Sequence, residues 1–214
     1  MTAVTTLRFF ARVCLTLGAS VVAFTGLPVM AQDLPALFRV TGVAPDDRLN
    51  LRAAPSARSA VLGGLAADAA DIEVVARSPD GRWGRTNLGE VSGWVAMRFL
   101  QAQSHPDWHA GLIGLACLGT EPFWSLRAFL PSHRAEFVTP DNGGVELVLD
   151  AGALPATQFP RTLALPFSGA HEGMAVLRPA ACSDGMSDMA FGIEAQLYFR
   201  GQVEGLSGCC RLMP

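Results

Sequence analysis

Apolar residues along this chain recur with a period of two far more clearly than with a helical period, and Pro or Gly interrupts them at short intervals. The runs DIEVVARS from Asp71, FWSLRAFL from Phe123, GVELVLD from Gly144 and IEAQLYFR from Ile193 each have the length and the β-branched or aromatic content of a half-buried strand. Asp80-Gly81 and Asn142-Gly143 stand between such runs and read as hairpin turns, because both central residues reach positive φ at little cost. The pattern predicts an all-β protein.

The N-terminus departs from that pattern. Arg8 and Arg12 precede the apolar run VCLTLGASVVAFTG, and Val29 and Ala31 occupy the small-residue positions that a signal peptidase reads. The run is shorter than the roughly 20 residues a membrane-spanning helix needs. Residues 1–31 therefore read as an export signal. Cys14 follows Ala-Arg-Val, a context that lacks the uncharged lead-in of a lipid-attachment site. After signal removal no span remains, and the mature chain is expected to be periplasmic or secreted.

Charge excludes one class of partner. All 16 basic residues are arginine, and the formal net charge of −3 becomes more negative once Arg8 and Arg12 are removed. With no basic stripe, nucleic acid is not an expected partner. The polar stretch QAQSHPDWH after Leu100 separates an evenly charged first part from an acidic second part, so the expected organisation is two domains, 32–103 and 104–214.

The first part resembles a bacterial SH3 domain. The likeness is carried by VTGVAPDDRLNLRAAPS from Val40, VLGGLAADAADIEVV from Val61, DGRWGRT from Asp80 and VSGWVAMRFL from Val91. It implies a small barrel, with Asn50 tying down local backbone. Trp83 and Trp94, with Ile72, Val74, Val75 and Val95, supply bulky apolar surface and read first as core. The resemblance also implies binding of peptidoglycan peptide or another short peptide. Arg52, Trp83, Arg85 and Trp94 are the candidate recognition residues, since aromatic faces and guanidinium forks suit an extended peptide and its carboxylates.

From Cys117 onward the chain resembles a group of uncharacterised exported bacterial proteins. Their marks are GTEPFW, here Gly119–Trp124; C-x-DGMSD, here Cys182–Asp188; and a terminal GCC, here Gly208–Cys210. The strand spacing independently suggests a second compact β-barrel with its ends sewn together. Cys117, Cys182, Cys209 and Cys210 form an even set in an exported chain and are expected to be disulfides. Four cysteines allow three pairings, and a bridge between the neighbours Cys209 and Cys210 is the most strained. Of the other two, the related sequences favour Cys182 with Cys209 and Cys117 with Cys210.

Chemistry in the second part has weaker sequence support. Asp184 and Asp188, with Glu121, could supply general acid and base groups, but SDGMSD is mainly turn-forming. A cysteine nucleophile would need His133 or His171 as its base, and an oxidised thiol cannot attack. His105 and His109 are spaced as a metal pair would be on a helix, yet Pro106 opposes that helix and HPDWH reads as a mobile linker. No C-x-x-C knuckle is present for zinc, and no cofactor, metal or catalytic residue is expected.

The leading expectation is a non-catalytic envelope binding protein acting on peptidoglycan or a short peptide, with an envelope protein as a further candidate partner. The competing expectation is an envelope hydrolase or enzyme inhibitor acting through the second part, around Glu121, Trp124, His171, Asp184 and Asp188.

Overall fold

A computed structural model describes residues 33–141, 143–150, 154–155 and 161–214. The export signal expected over 1–31 and Asn142 of the second hairpin signal lie outside these residues. Seventeen strands occur in the described residues. The first eight are β1 (Ala36–Val40), β2 (Arg48–Arg52), β3 (Val61–Ala66), β4 (Ile72–Val74), β5 (Ala76–Arg77), β6 (Trp83–Leu88), β7 (Val91–Ala96) and β8 (Leu100–Ala102). They build a three-stranded sheet in the order β4-β1-β8 and a five-stranded sheet in the order β3-β2-β7-β6-β5. Gly81, with φ 69°, turns the chain between β5 and β6 as the Asp-Gly signal requires.

Alternation sends Leu49 and Leu51 of β2, Ile72 and Val74 of β4 and Val95 of β7 into a common core with Phe38 and Val40 of β1. Neither Trp83 nor Trp94 belongs to it, contrary to the core placement expected from sequence. Gly84 and Thr86 take the inward positions beside Trp83, and Gly93 and Val95 take those beside Trp94. Period two then forces both indoles outward.

The remaining strands are β9 (Gly114–Thr120), β10 (Phe123–Phe129), β11 (Arg134–Val138), β12 (Val145–Leu149), β13 (Leu154–Pro155), β14 (Leu163–Gly169), β15 (Gly173–Cys182), β16 (Phe191–Phe199) and β17 (Leu206–Met213). β9 to β12 and β14 to β17 run antiparallel, each beside its neighbour in sequence. β12 pairs with β14 and β17 with β9, which closes an eight-stranded barrel. Inward positions carry Leu115, Leu126, Leu147, Leu165, Leu177 and Ile193, all buried, so the barrel holds a packed core in its interior. Burying each such side chain contributes about 1.5–3 kcal/mol.

One strand serves both cores. β1 gives Phe38 and Val40 to the small core and Leu37 to the barrel core, which accounts for a buried run with little alternation. The described residues from Asp33 to Pro214 accordingly fall in one compact unit.

The stretch expected to be a mobile linker is anchored at its end by two buried side chains, Trp108 and His109. Asp107 caps a short 3-10 turn, Trp108–Ala110, by accepting from the His109 backbone N–H at 3.1 Å, and Gly111 ends the turn with φ 67°. Trp108 is 1 % exposed and His109 3 %, and Trp108 joins the barrel core with Ile113, Leu130 and Leu212. A five-residue segment carries no periodic signal from which the burial of Trp108 and His109 could be read.

Candidate functional site

The outer side of the five-stranded sheet gathers all four residues proposed from sequence for recognition. Arg85 is the cross-strand partner of Trp94, and Trp94 is the partner of Arg52, so the three share a face. Trp83 lies two residues before Arg85 on β6 and shares it too. Both tryptophans are half-buried and Arg85 is exposed. This arrangement puts flat apolar surface beside guanidinium groups, a combination that an extended peptide with a carboxylate can use.

Each arginine is partly steered and keeps donors to spare. Arg52 donates from Nη1 to the Ser59 carbonyl at 2.8 Å, and Arg85 from Nη2 to the Ser92 hydroxyl at 3.0 Å. Among the described residues neither takes part in an ion pair. Arg52 and Trp83 also line a pocket of about 280 Å³ with Arg48, Asn50, Arg98 and Phe99. Asn50, expected to brace local backbone, is exposed here. Arg98 lies over the Phe99 ring, 4.5 Å from its centroid. Arg48 and Arg98 were not anticipated, although Arg48, Asn50 and Arg52 at spacing two already placed Arg48 on this face.

The three motifs of the second part meet in one structural knot. On β17 the adjacent Cys209 and Cys210 point to opposite sides of the sheet, as neighbours in a strand must. Cys210 faces inward and bonds to Cys117, its cross-strand partner on β9, while Cys209 bonds to Cys182 at the end of β15. These are the pairs that the related sequences favoured. Buried bonds of this kind fit an oxidising compartment.

Trp124 explains the glycines of GTEPFW and GCC. A Cβ on Gly119 would stand 2.1 Å from the indole Nε1, and one on Gly208 would stand 2.6 Å from the ring. The indole therefore lies against two bare backbones, and Nε1 donates to the Ser207 carbonyl at 3.3 Å.

The loop after Cys182 folds back over the barrel wall. Thr120 donates its hydroxyl to the Asp184 carbonyl at 2.7 Å. The loop's far side meets the sheets of the first part. Ser92 N–H donates to the Asp188 carbonyl, and Asn87 exchanges two 2.9 Å hydrogen bonds with the Ala190 backbone.

The carboxylates and imidazoles proposed for chemistry are not gathered into one pocket. Asp184 accepts from Met186 N–H, Ser187 N–H and the Ser187 hydroxyl. Burial works to raise its pKa, but these bonds outweigh burial and hold the carboxyl below its ordinary value. Ionised and fully engaged, it builds a turn. Asp184 and Trp124 line a shallow groove with Phe123 and Met186, and neither Glu121 nor His171 lines it. Glu121 is exposed at the β9–β10 turn. His171, on the β14–β15 turn, packs edge-on against Phe137 and Phe199. His133 holds a left-handed turn with φ 55°.

The HPDWH imidazoles face separate tasks. His105 Nε2 accepts from Leu37 N–H at 2.9 Å. His109 Nδ1 donates to Asp107 at 2.9 Å, and Asp107 in turn pairs with Arg161, which also holds Asp33. Burial lowers the His109 pKa despite the opposing pull of Asp107. Among the described residues no cluster of three or more His, Cys, Asp or Glu is placed to hold a metal, and no helix is long and apolar enough to cross a membrane.

Comparison with protein-family models and with curated proteins returns no match to this chain.

Proposed function

We propose that this is an exported, non-catalytic binding protein of the cell envelope. Its bacterial SH3-like part takes an extended peptide, from peptidoglycan or another short peptide, across the outer face of the five-stranded sheet. The observation that supports this reading is the convergence of Arg52, Trp83, Arg85 and Trp94 on one solvent-facing side, next to a pocket that Arg52 and Trp83 share. An apolar ring and a donor-rich cation side by side give a peptide both area and direction, and the extended backbone suits a flat sheet face. The disulfides and the expected export signal are consistent with a periplasmic or secreted location.

The test is retention of the mature chain on purified peptidoglycan. An arginine fork on a carboxylate contributes about 1.5–3 kcal/mol, so Arg52→Ala or Arg85→Ala should weaken retention roughly tenfold or more without unfolding the domain. If both variants are retained like the wild type, the proposed face is not the binding surface.

A further inference from the structure

A second cleft, of about 1300 Å³, lies between the two-sheet part and the barrel. That exceeds the roughly 300–1,000 Å³ of pockets that hold one small molecule and suits a length of chain. The barrel side of the cleft is the outer face of β10, β9 and β17, on which the register aligns Arg127, Ala116 and Arg211 in one row. Neighbouring strands are about 4.8 Å apart, so the two arginines stand roughly 10 Å apart at their Cα atoms with only a methyl group between them.

Both arginines are exposed, and neither takes part in an ion pair among the described residues. Arg127 is steered by the Phe129 ring, 5.9 Å from its centroid. Two acids, Asp71 and Glu73, line the same cleft, and Arg211 attracts Glu73. Asp71 accepts from Gln103 Nε2 at 2.9 Å, and Glu73 accepts the Leu212 N–H at 3.1 Å. Burial also pushes Glu73 up to about 7, which reduces its charge near neutrality. Leu65, Ile72, Leu118, Phe129 and Met213 give the same cleft apolar walls.

We propose that the cleft binds an extended acidic peptide whose carboxylates pair with Arg127 and Arg211 while its apolar side chains lie against Leu118 and Phe129. Same-face side chains of an extended peptide repeat about every 6.7 Å, a spacing that two long arginines can bridge from either end. This site shares no lining residue with the pocket beside Trp83, so it stands or falls independently of the peptidoglycan reading.

The experiment is calorimetric titration of the mature full-length chain with a capped peptide alternating aspartate and leucine. The expected result is saturable binding, at least about tenfold weaker in Arg127→Gln and in Arg211→Gln, and unchanged in Arg82→Gln, an exposed arginine outside the cleft. The same peptide with asparagine in place of aspartate should bind at least tenfold more weakly to the wild type. The proposal is overturned by absence of saturable binding or by equal affinity for the asparagine peptide. Full affinity in either cleft variant also overturns it, as does displacement of the peptide by an equal concentration of inorganic phosphate.

Discussion

Replacing Glu73 with glutamine should stabilise the chain in mild alkali and leave it nearly unchanged in mild acid. Glu73 lies on β4 at the contact with β17, where its Oε1 accepts the Leu212 N–H. Loss of solvent raises its pKa from 4.5 to about 7, against the smaller opposing pulls of that N–H and of Arg211. Between these two values the unfolded chain has released the proton and the folded chain still holds it. Stability from this group is therefore fully present below 4.5 and is lost as pH rises toward 7. At about 1.4 kcal/mol per pH unit the loss approaches roughly 3 kcal/mol by pH 8.

The Glu73→Gln side chain would keep the acceptor for Leu212 and carry no charge, so the variant avoids that loss. His109 acts in the opposite direction, because its folded pKa is held down by burial and acid protonates the unfolded chain first. That contribution is the same in both proteins and cancels in their difference. Urea unfolding of wild type and Glu73→Gln from pH 4.5 to 8 should show a stability difference that grows from near zero to about 3 kcal/mol. A difference that stays flat across this range would refute the assignment of a half-buried, ionisation-resistant carboxyl to the β4–β17 contact.

Further outcomes follow from the knot around β17. Gly208→Ala would bring a methyl to 2.1 Å from the Leu118 carbonyl and 2.6 Å from the Trp124 ring, so it should cost about 1–3 kcal/mol in thermal unfolding and shift Trp emission. A Cys182→Ser, Cys209→Ser double variant opens a loop of sequence separation 27. By the chain-entropy relation it should lose up to about 3.5 kcal/mol, and amide exchange over 183–190 should accelerate. Thiol titration of the denatured, unreduced mature chain should find no free cysteine.

Much of the architecture was legible because half-buried antiparallel strands write their faces into the sequence. FWSLRAFL became β10 with Trp124, Leu126 and Ala128 inward, and GVELVLD became β12 with Leu147 and Leu149 inward. The pairing that closes the barrel was less legible, since β9 and β17 join residues such as Cys117 and Cys210, 93 positions apart. The tryptophans of the first part were misplaced for a physical reason. An indole is apolar enough to look like core, and only the small inward neighbours Gly84, Thr86 and Gly93 showed which way the strand faced. HPDWH runs without regular structure up to Asp107, as Pro and His suggest, but the burial of Trp108 in the barrel core has no short-range signal. That Arg52, Trp83, Arg85 and Trp94 share one sheet face was readable from their alternation; the cleft with Arg127 and Arg211 was not, because it exists only where two sheets approach.

The central claim concerns which indoles meet the ligand, and the chain carries four tryptophans. Trp83 and Trp94 lie on the proposed face, while Trp108 and Trp124 are buried in the barrel core. The most direct measurement is an NMR titration of the ¹⁵N-labelled mature chain with soluble peptidoglycan fragments, following the indole N–H signals. Saturable shifts of Trp83 and Trp94 and none of Trp108 and Trp124 are expected, with the first two requiring at least about tenfold more ligand in Arg52→Ala. Saturable shifts confined to Trp108 or Trp124, or no saturable shift of any indole, would contradict that claim.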